Sequence, residues 1–507
     1  MSGARGPADT RVPDGYRVVL DRHARIVDRG AALVGGAPPR LVHLAPAARV
    51  LLTGGGFTVR DATSAALARR MLDAGLVQPA PGPPPTAPAP ADVTVVVPVR
   101  DRPAGLARLL AALAPRPARP ADLRSARLGG VVVVDDGSAD PAAIRAVAER
   151  TGARVLRHHA SRGASAARNA GLAAAGTPYV AFLDSDVVPE PGWLGPLLAA
   201  FADPAVALAA PRIVALEPVR GWLGRYEAVR SSLDLGPDAA GIVPRSRVAY
   251  VPSAAMLARR DALRDAGGAF DETMHVAEDV DLVLRLHAAG WRLRYVPDAR
   301  VAHDHRATLR AWWVRKAFYG TGAAPLALRH RGAVPPLVLT PSSAAVGALL
   351  LAARPGAALA AALVGAVAVE RLARRLTRLR RPRATAARLV CAGTYGALAQ
   401  AADALLRHHW PLTATACAVS RRARRTVAGV ALVEGLVDWV AHRRRAPGVR
   451  PNPAEYLLAH RLDDLAYGTG LWWGALRHRS LEPLRPVRPG AGSSQPRRAR
   501  PTTVRPG

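Results

Sequence analysis

Lysine is almost missing from this chain: of 70 basic residues in 507, only Lys316 is lysine and the rest are arginine. With 45 glycines and 45 prolines, that skew is the mark of a GC-rich coding sequence and not of a functional tract. Cysteine is equally sparse. Cys391 and Cys417 stand alone, without Cys-x-x-Cys spacing, which argues against a disulfide framework and a zinc site. The start, Met1-Ser2-Gly3-Ala4-Arg5-Gly6-Pro7, lacks the apolar core of a signal peptide, so the expected setting is a reducing cytoplasm. The apolar stretches 337–353 and 356–369 are broken at Thr340-Pro341-Ser342-Ser343 and Arg354-Pro355-Gly356, and each falls short of the roughly 20 residues that span a bilayer. Acidic residues number 38, leaving a net charge of +32. Such charge attracts phosphate-rich surfaces, yet no helix-turn-helix, zinc-finger or RNA-binding signature accompanies it. Nucleic acid is therefore not the expected partner, and anionic lipid is.

What is present is a set of carboxylates at strand ends. Residues 179–183 form an apolar run leading into Asp184-Ser185-Asp186. Residues two apart in a strand point the same way, so both carboxylates could reach one ligand, and hard oxygen ligands suit Mg²⁺ or Mn²⁺. Two further β-branched runs end alike: 93–97 leads into Pro98-Val99-Arg100-Asp101, and 131–134 leads into Asp135-Asp136-Gly137-Ser138. Helical stretches follow at 104–114 and 141–150, which makes these βαβ units with parallel buried strands and ligands beyond the carboxyl ends. Asp101, Asp135, Asp136, Asp184 and Asp186 are thus expected on one rim. Any one such loop is ordinary turn chemistry, but three within one domain point to a site.

Arg162-Gly163-Ala164 opens a small-residue helix carrying Arg168-Asn169, where arginines and a helix N-terminus could meet phosphate or ribose. Downstream, Glu278-Asp279-Val280-Asp281 forms the acidic first turn of a helix expected over 280–289. His303 and His305 follow a short strand at 292–297; either could be a metal ligand.

The order of these blocks resembles the inverting family 2 glycosyltransferases, which have a nucleotide-diphospho-sugar-binding α/β fold. Val-Pro-Val at 97–99, Asp135-Asp136-Gly137-Ser138, Arg168-Asn169-Ala170-Gly171, Asp184-Ser185-Asp186 and Gly267-Gly268-Ala269-Phe270-Asp271-Glu272 with Glu278-Asp279 match in sequence order over roughly 92–310. The resemblance implies donor contacts from Pro98, Arg100, Asp101, Asp135, Asp136, Arg168, Asn169 and Asp184, and metal binding by Asp186 with His303 or His305. It implies Asp279 as catalytic base beside Glu278, a divalent Mg or Mn cation, and a nucleotide-sugar donor. The Gln-x-x-Arg-Trp segment of processive synthases is missing; the nearest stretch is Arg310-Ala311-Trp312-Trp313-Val314-Arg315, so transfer of one or a few sugars is expected. Those tryptophans could stack on a sugar or anchor a helix.

Punctuation divides the chain into a small module at 1–78, a proline-rich spacer at 79–91, the α/β transferase domain at 92–310, a hydrophobic α-helical region at 311–481 and a disordered tail at 482–507. In the first module, strands are expected at 16–20, 25–28 and 31–34, with helices at 46–52 and 62–74. It resembles winged-helix peptide-recognition domains, which implies peptide capture by strand addition. The three parts together resemble the family 2 members that serve the mycofactocin system. That resemblance implies β-linked glucose, from UDP-glucose, attached to a peptide-derived redox cofactor at the inner face of the membrane. The rival readings are a polyprenyl-lipid or cell-envelope glycosyltransferase, an inactive membrane scaffold, and a nucleotidyltransferase whose usual glycine-rich loop is replaced here by Pro98-Val99-Arg100-Asp101.

Overall fold

The computed structural model describes residues 7, 10–37, 39–80, 87–114, 127–305, 308–333, 335–338, 340–352 and 354–487. The first module carries six short strands: β1 (Arg17–Leu20), β2 (Arg25–Val27), β3 (Ala32–Gly35), β4 (Arg40–His43), β5 (Gly56–Thr58) and β6 (Val77–Pro79). They form two antiparallel sheets, ordered β5-β1-β6 and β2-β3-β4. Helices Pro46–Leu51 and Ala62–Asp73 match the expected positions. β4, β5 and β6 went unanticipated, because three or four residues are too few to show a period. Asp61 starts the second helix by accepting from the Ser64 amide.

The module is firmly seated on the next domain. Arg69 grips Asp203 through two 2.6 Å bonds, Arg292 pairs with Asp73, and Ala202 enters the module's own core. Its β2-β3-β4 sheet packs through Ala32 and Leu41 against Ala373, Leu376 and Leu379 of the C-terminal region.

The central domain is built on a nine-stranded mixed sheet of β7 (Val93–Val99), β8 (Gly130–Asp136), β9 (Arg154–His158), β10 (Tyr179–Leu183), β11 (Val187–Pro189), β12 (Val206–Ala215), β13 (Ala240–Gly241), β14 (Ala255–Arg259) and β15 (Arg292–His303). The order is β11-β15-β12-β14-β10-β7-β8-β9, with β13 on β15. Strands β10, β7, β8 and β9 run parallel, and β14 joins β10 antiparallel. Helices cover both faces, which is why every residue of β7 and β10 is buried and why these runs do not alternate. Gly171 lets the helix Ala164–Ala174 lie directly on β7, since a Cβ there would meet Val96 at 2.2 Å. Chain order reverses between β7 and β10, so the crevice opens beyond their carboxyl ends, at Asp101 and Asp184.

After β15 the chain is helical. Helix Leu309–Thr321 packs backbone to backbone on Pro453–Arg477. A Cβ on Gly470 would meet the Ala317 carbonyl at 1.7 Å, and one on Gly320 the Tyr467 carbonyl at 2.1 Å. Trp312 is buried with Tyr226 and Tyr456, so it anchors this helix instead of facing a sugar. Between these two helices run Pro341–Leu351, Pro355–Ala373, Pro382–Asp403, a π-helical turn Ala404–His408, Trp410–Val419 and Arg421–His442. Pro355–Ala373 and Pro382–His408 are long and apolar enough to cross a membrane by length and composition. The tail expected over 482–507 starts inside the fold: Leu484 is buried and the Val487 amide donates to Leu337. Residues 488–507, and 81–86 of the spacer, lie outside the described residues.

Candidate functional site

Arg168 organises the centre. Held in the second turn of helix Ala164–Ala174 and buried, it donates to Asp184 at 2.6 Å and to Glu278 at 3.1 Å, with its guanidinium over the Phe270 ring at 5.2 Å. Arg168 thus joins the strand-end motif to the acidic helix turn. Ala277, in the left-handed region at φ 65°, turns the chain so that helix Glu278–Ala288 begins with both carboxylates facing the same cavity. Ser253 then holds the pair: its amide donates to Asp279 and its hydroxyl to Glu278, each at 3.1 Å. Burial, and next the adjacent charge of Glu278, push the Asp279 carboxyl up to about 7.

The expectation that Asp184 and Asp186 project together from one strand is not met, because β10 stops at Leu183 and residues 184–186 form a turn closed by the Val187 amide on the Asp184 carbonyl. Asp184 faces Arg168, whereas Asp186 pairs with Arg102 at 2.7 Å and lies 3.5 Å from His303 Nε2. His303 and His305 do lie side by side, ring centroids 4.9 Å apart. His305 leans on Glu227 at 3.6 Å. Burial pushes both imidazoles down to about 4, so they are neutral near pH 7. His303 Nδ1 and His305 Nε2 are buried without a hydrogen-bond partner.

The other expected donor residues share this end of the sheet; the side chains of Asp135, Asp136 and Asn169 are turned to the protein, while those of Arg100 and Asp101 are exposed. Asp135 accepts from the Ser138 amide and pairs with Arg157. Asp136 takes the position anticipated for a ligand anion: it accepts from the Arg162 and Gly163 amides, Ser161 and His158 at the start of helix Ala164–Ala174. Burial opposes its ionisation, yet these bonds hold its carboxyl below the ordinary range. Asp101, at φ 54°, accepts from the Ala139 amide, and Arg100 lies 3.5 Å from it. Asn169 bonds Phe270 through both its amide nitrogen and its carbonyl, fixing the turn before Glu272. Pro98 is buried in β7.

Arg168, Asp184, Glu278, Asp279 and His303 line one cavity of about 330 Å³. Its opposite wall is C-terminal: Arg315, Tyr319, Arg407 and Tyr467. That wall is pinned by residues to which the sequence assigned no part in the site. Lys316 is buried between Glu227 at 2.9 Å and Asp463 at 3.1 Å, and Glu227 also accepts from Trp312. The sequence did hold a signal, since one lysine amid so much arginine marks a place where a compact charge is needed. Ser253 carried none.

Comparison with known proteins identifies the family. The glycosyl transferase family 2 model matches residues 94–266. The pre-mycofactocin glycosyltransferase of Mycobacterium tuberculosis is 49% identical over 484 residues, covering 94% of this chain and 98% of that protein. The succinoglycan biosynthesis protein ExoU of Rhizobium meliloti is 33% identical over 182 residues, covering 33% of this chain and 51% of that one. Among solved structures, a mannosyltransferase from Pyrobaculum calidifontis in complex with GDP-Man and Mn²⁺ covers 76% of this chain and 90% of its own. Its identity is 20% and its TM-score 0.39, a likeness too distant to bear on the site. The chain belongs to the family 2 glycosyltransferases, and it is an enzyme of that class.

Proposed function

We propose that this enzyme transfers a hexose from a nucleotide-sugar donor, UDP-glucose, onto the hydroxyl of a peptide-derived redox cofactor of the mycofactocin kind, inverting the anomeric centre to a β linkage. The observation that carries the reading is a carboxyl poised near neutrality, Asp279, sharing a small cavity with Arg168 and Asp184. The choice of acceptor is supported by identity along nearly the whole length of a pre-mycofactocin glycosyltransferase.

In this scheme Asp279 takes the acceptor proton as oxygen attacks, and Ser253 and Glu278 keep its carboxylate aimed. Asp184, fixed by Arg168, meets the donor's ribose. Asp135, Asp136 and Asn169 act indirectly, by shaping the loops that the base and ribose rest on. Asp186 and His303 fit a hard divalent ion, Mg or Mn: one carboxylate 3.5 Å from Nε2 of a neutral imidazole, whose Nδ1 is buried without a partner. When bound, that ion offsets charge on the diphosphate.

The N-terminal module would hold a carrier peptide at an open edge of β2 or β4, each of which pairs only with β3 among the described residues. Helices Pro355–Ala373 and Arg421–His442 present exposed leucines and valines, among them Leu359, Leu363, Val433 and Val440, beside arginines at 371, 374, 375, 421 and 422. That pairing of apolar face and cationic border fits peripheral seating on the anionic inner face of a cell membrane.

The test is donor binding by titration calorimetry across UDP-, GDP- and dTDP-sugars with Mn²⁺ or chelator, followed by transfer assays on the aglycone acceptor. Selective, metal-dependent binding of UDP-glucose and formation of a β-glucoside are expected. Folded protein that binds no sugar nucleotide would sink the reading.

A further inference from the structure

Four cationic side chains line the cavity, and three are already committed. Arg168 is bonded to Asp184 and Glu278, and Lys316 is clamped between Glu227 and Asp463. Arg407 lies over the Tyr467 ring at 4.0 Å with Asp464 at its edge. Arg315 differs. It lines the same cavity, yet among the described residues no carboxylate comes within the 4.0 Å of an ion pair. Its guanidinium is steadied only by the face of Tyr319, 5.3 Å from the ring centroid.

An arginine that lines a cavity without a carboxylate partner of its own keeps its N–H donors for a ligand. Such an arrangement is retained where a ligand anion completes it. Position narrows the ligand. Arg315 lies within electrostatic range of His303, and its stacking partner Tyr319 is within range of both Asp184 and Asp279. The arginine therefore shares one cavity with Asp184 and Asp279, between which the donor reading above puts the scissile bond.

We propose that Arg315 is a catalytic residue that binds the terminal phosphate of the donor and receives the charge of the leaving group; this rests on the nucleotide-sugar reading above. In the step, the acceptor oxygen forms a bond to the anomeric carbon while the bond from that carbon to the phosphate oxygen breaks. The bonding pair leaves with the nucleoside diphosphate, the acceptor proton passes to Asp279, and the guanidinium neutralises the new negative charge with paired N–H donors. Helix Leu309–Thr321 can hold the group still because Lys316, next in sequence, and the glycine contacts to Pro453–Arg477 lock it.

The experiment compares uridine diphosphate with uridine monophosphate, in Mn²⁺, by titration calorimetry on full-length wild type, Arg315→Ala and Arg315→Lys, with kcat and KM measured beside it. Arg315→Ala is expected to weaken diphosphate binding about tenfold or more and leave monophosphate binding within about twofold. Arg315→Lys should recover part of the loss, with kcat falling more than KM rises. Equal diphosphate affinity in wild type and Arg315→Ala, or equal loss of both nucleotides, overturns the assignment. Wild type that binds neither nucleotide overturns the donor reading itself, and the assignment with it.

Discussion

Two regions of this chain are rich in the same apolar residues and use them oppositely. In the central sheet, valines and leucines of β7 and β10 are wholly enclosed, each enclosed side chain contributing roughly 1.5–3 kcal/mol. In the helices between residues 341 and 442, leucines stand out from the surface, Leu359 at 75% and Leu363 at 66% exposure. Composition does not distinguish the two. What does is whether a second layer exists, and among the described residues none covers Leu359 or Leu363. Helix Pro453–Arg477 belongs to the first kind despite its place in sequence, since it walls the catalytic cavity.

The sharpest way to break the enclosed region is at its chemistry. Asp279→Asn should lower kcat on the order of 10³-fold with donor affinity kept; retained turnover in a transfer assay would remove Asp279 as the base. Next is the charge inside the wall. Lys316→Met leaves Glu227 and Asp463 facing each other uncompensated, and a loss of about 3–5 kcal/mol is expected in denaturant unfolding. Gly470→Val should cost about 1–3 kcal/mol or more, because the Ala317 carbonyl must be pushed aside, and kcat should fall with it.

Acidity gives a finer probe. Since Asp279 titrates near 7, kcat/KM should rise with pH through about 7 as the carboxylate forms. Stability should move the other way. The folded state holds that proton where the unfolded chain has released it, so stability falls as pH rises from the ordinary carboxylate range toward 7. Asp279→Asn should therefore flatten this part of the stability profile. The smallest effect on the fold is expected on the open helices: Leu359→Glu with Leu363→Glu should shift stability by about 0.5 kcal/mol or less. The same pair should reduce flotation with anionic vesicles, and unchanged flotation would leave that face without its membrane partner.

Much of the sheet was legible, because β7 and β8 are β-branched runs and β10 an apolar one, each ending in a polar turn. The acidic helix turn at 278–281 was legible for its density of charge. The jobs of the carboxylates were not. Asp136 reads as a ligand contact until the 158–163 loop is seen closing on it, and that pairing spans more than twenty residues. Lys316 meets Asp463 across 147 residues. Strand period and motif spacing are local quantities, whereas the compensation of a buried charge is settled by whatever the fold brings beside it.

The close seam between Leu309–Thr321 and Pro453–Arg477 has a consequence in time. Chains leave the ribosome from the amino end and fold domain by domain as they emerge. The sheet, Asp184 and Asp279 are all made well before helix Pro453–Arg477, so for much of synthesis the carboxylates lack their far wall. A nascent chain can hold a finished sheet and still have no closed cavity. The cavity is thereby complete only once residues 453–477 have been made.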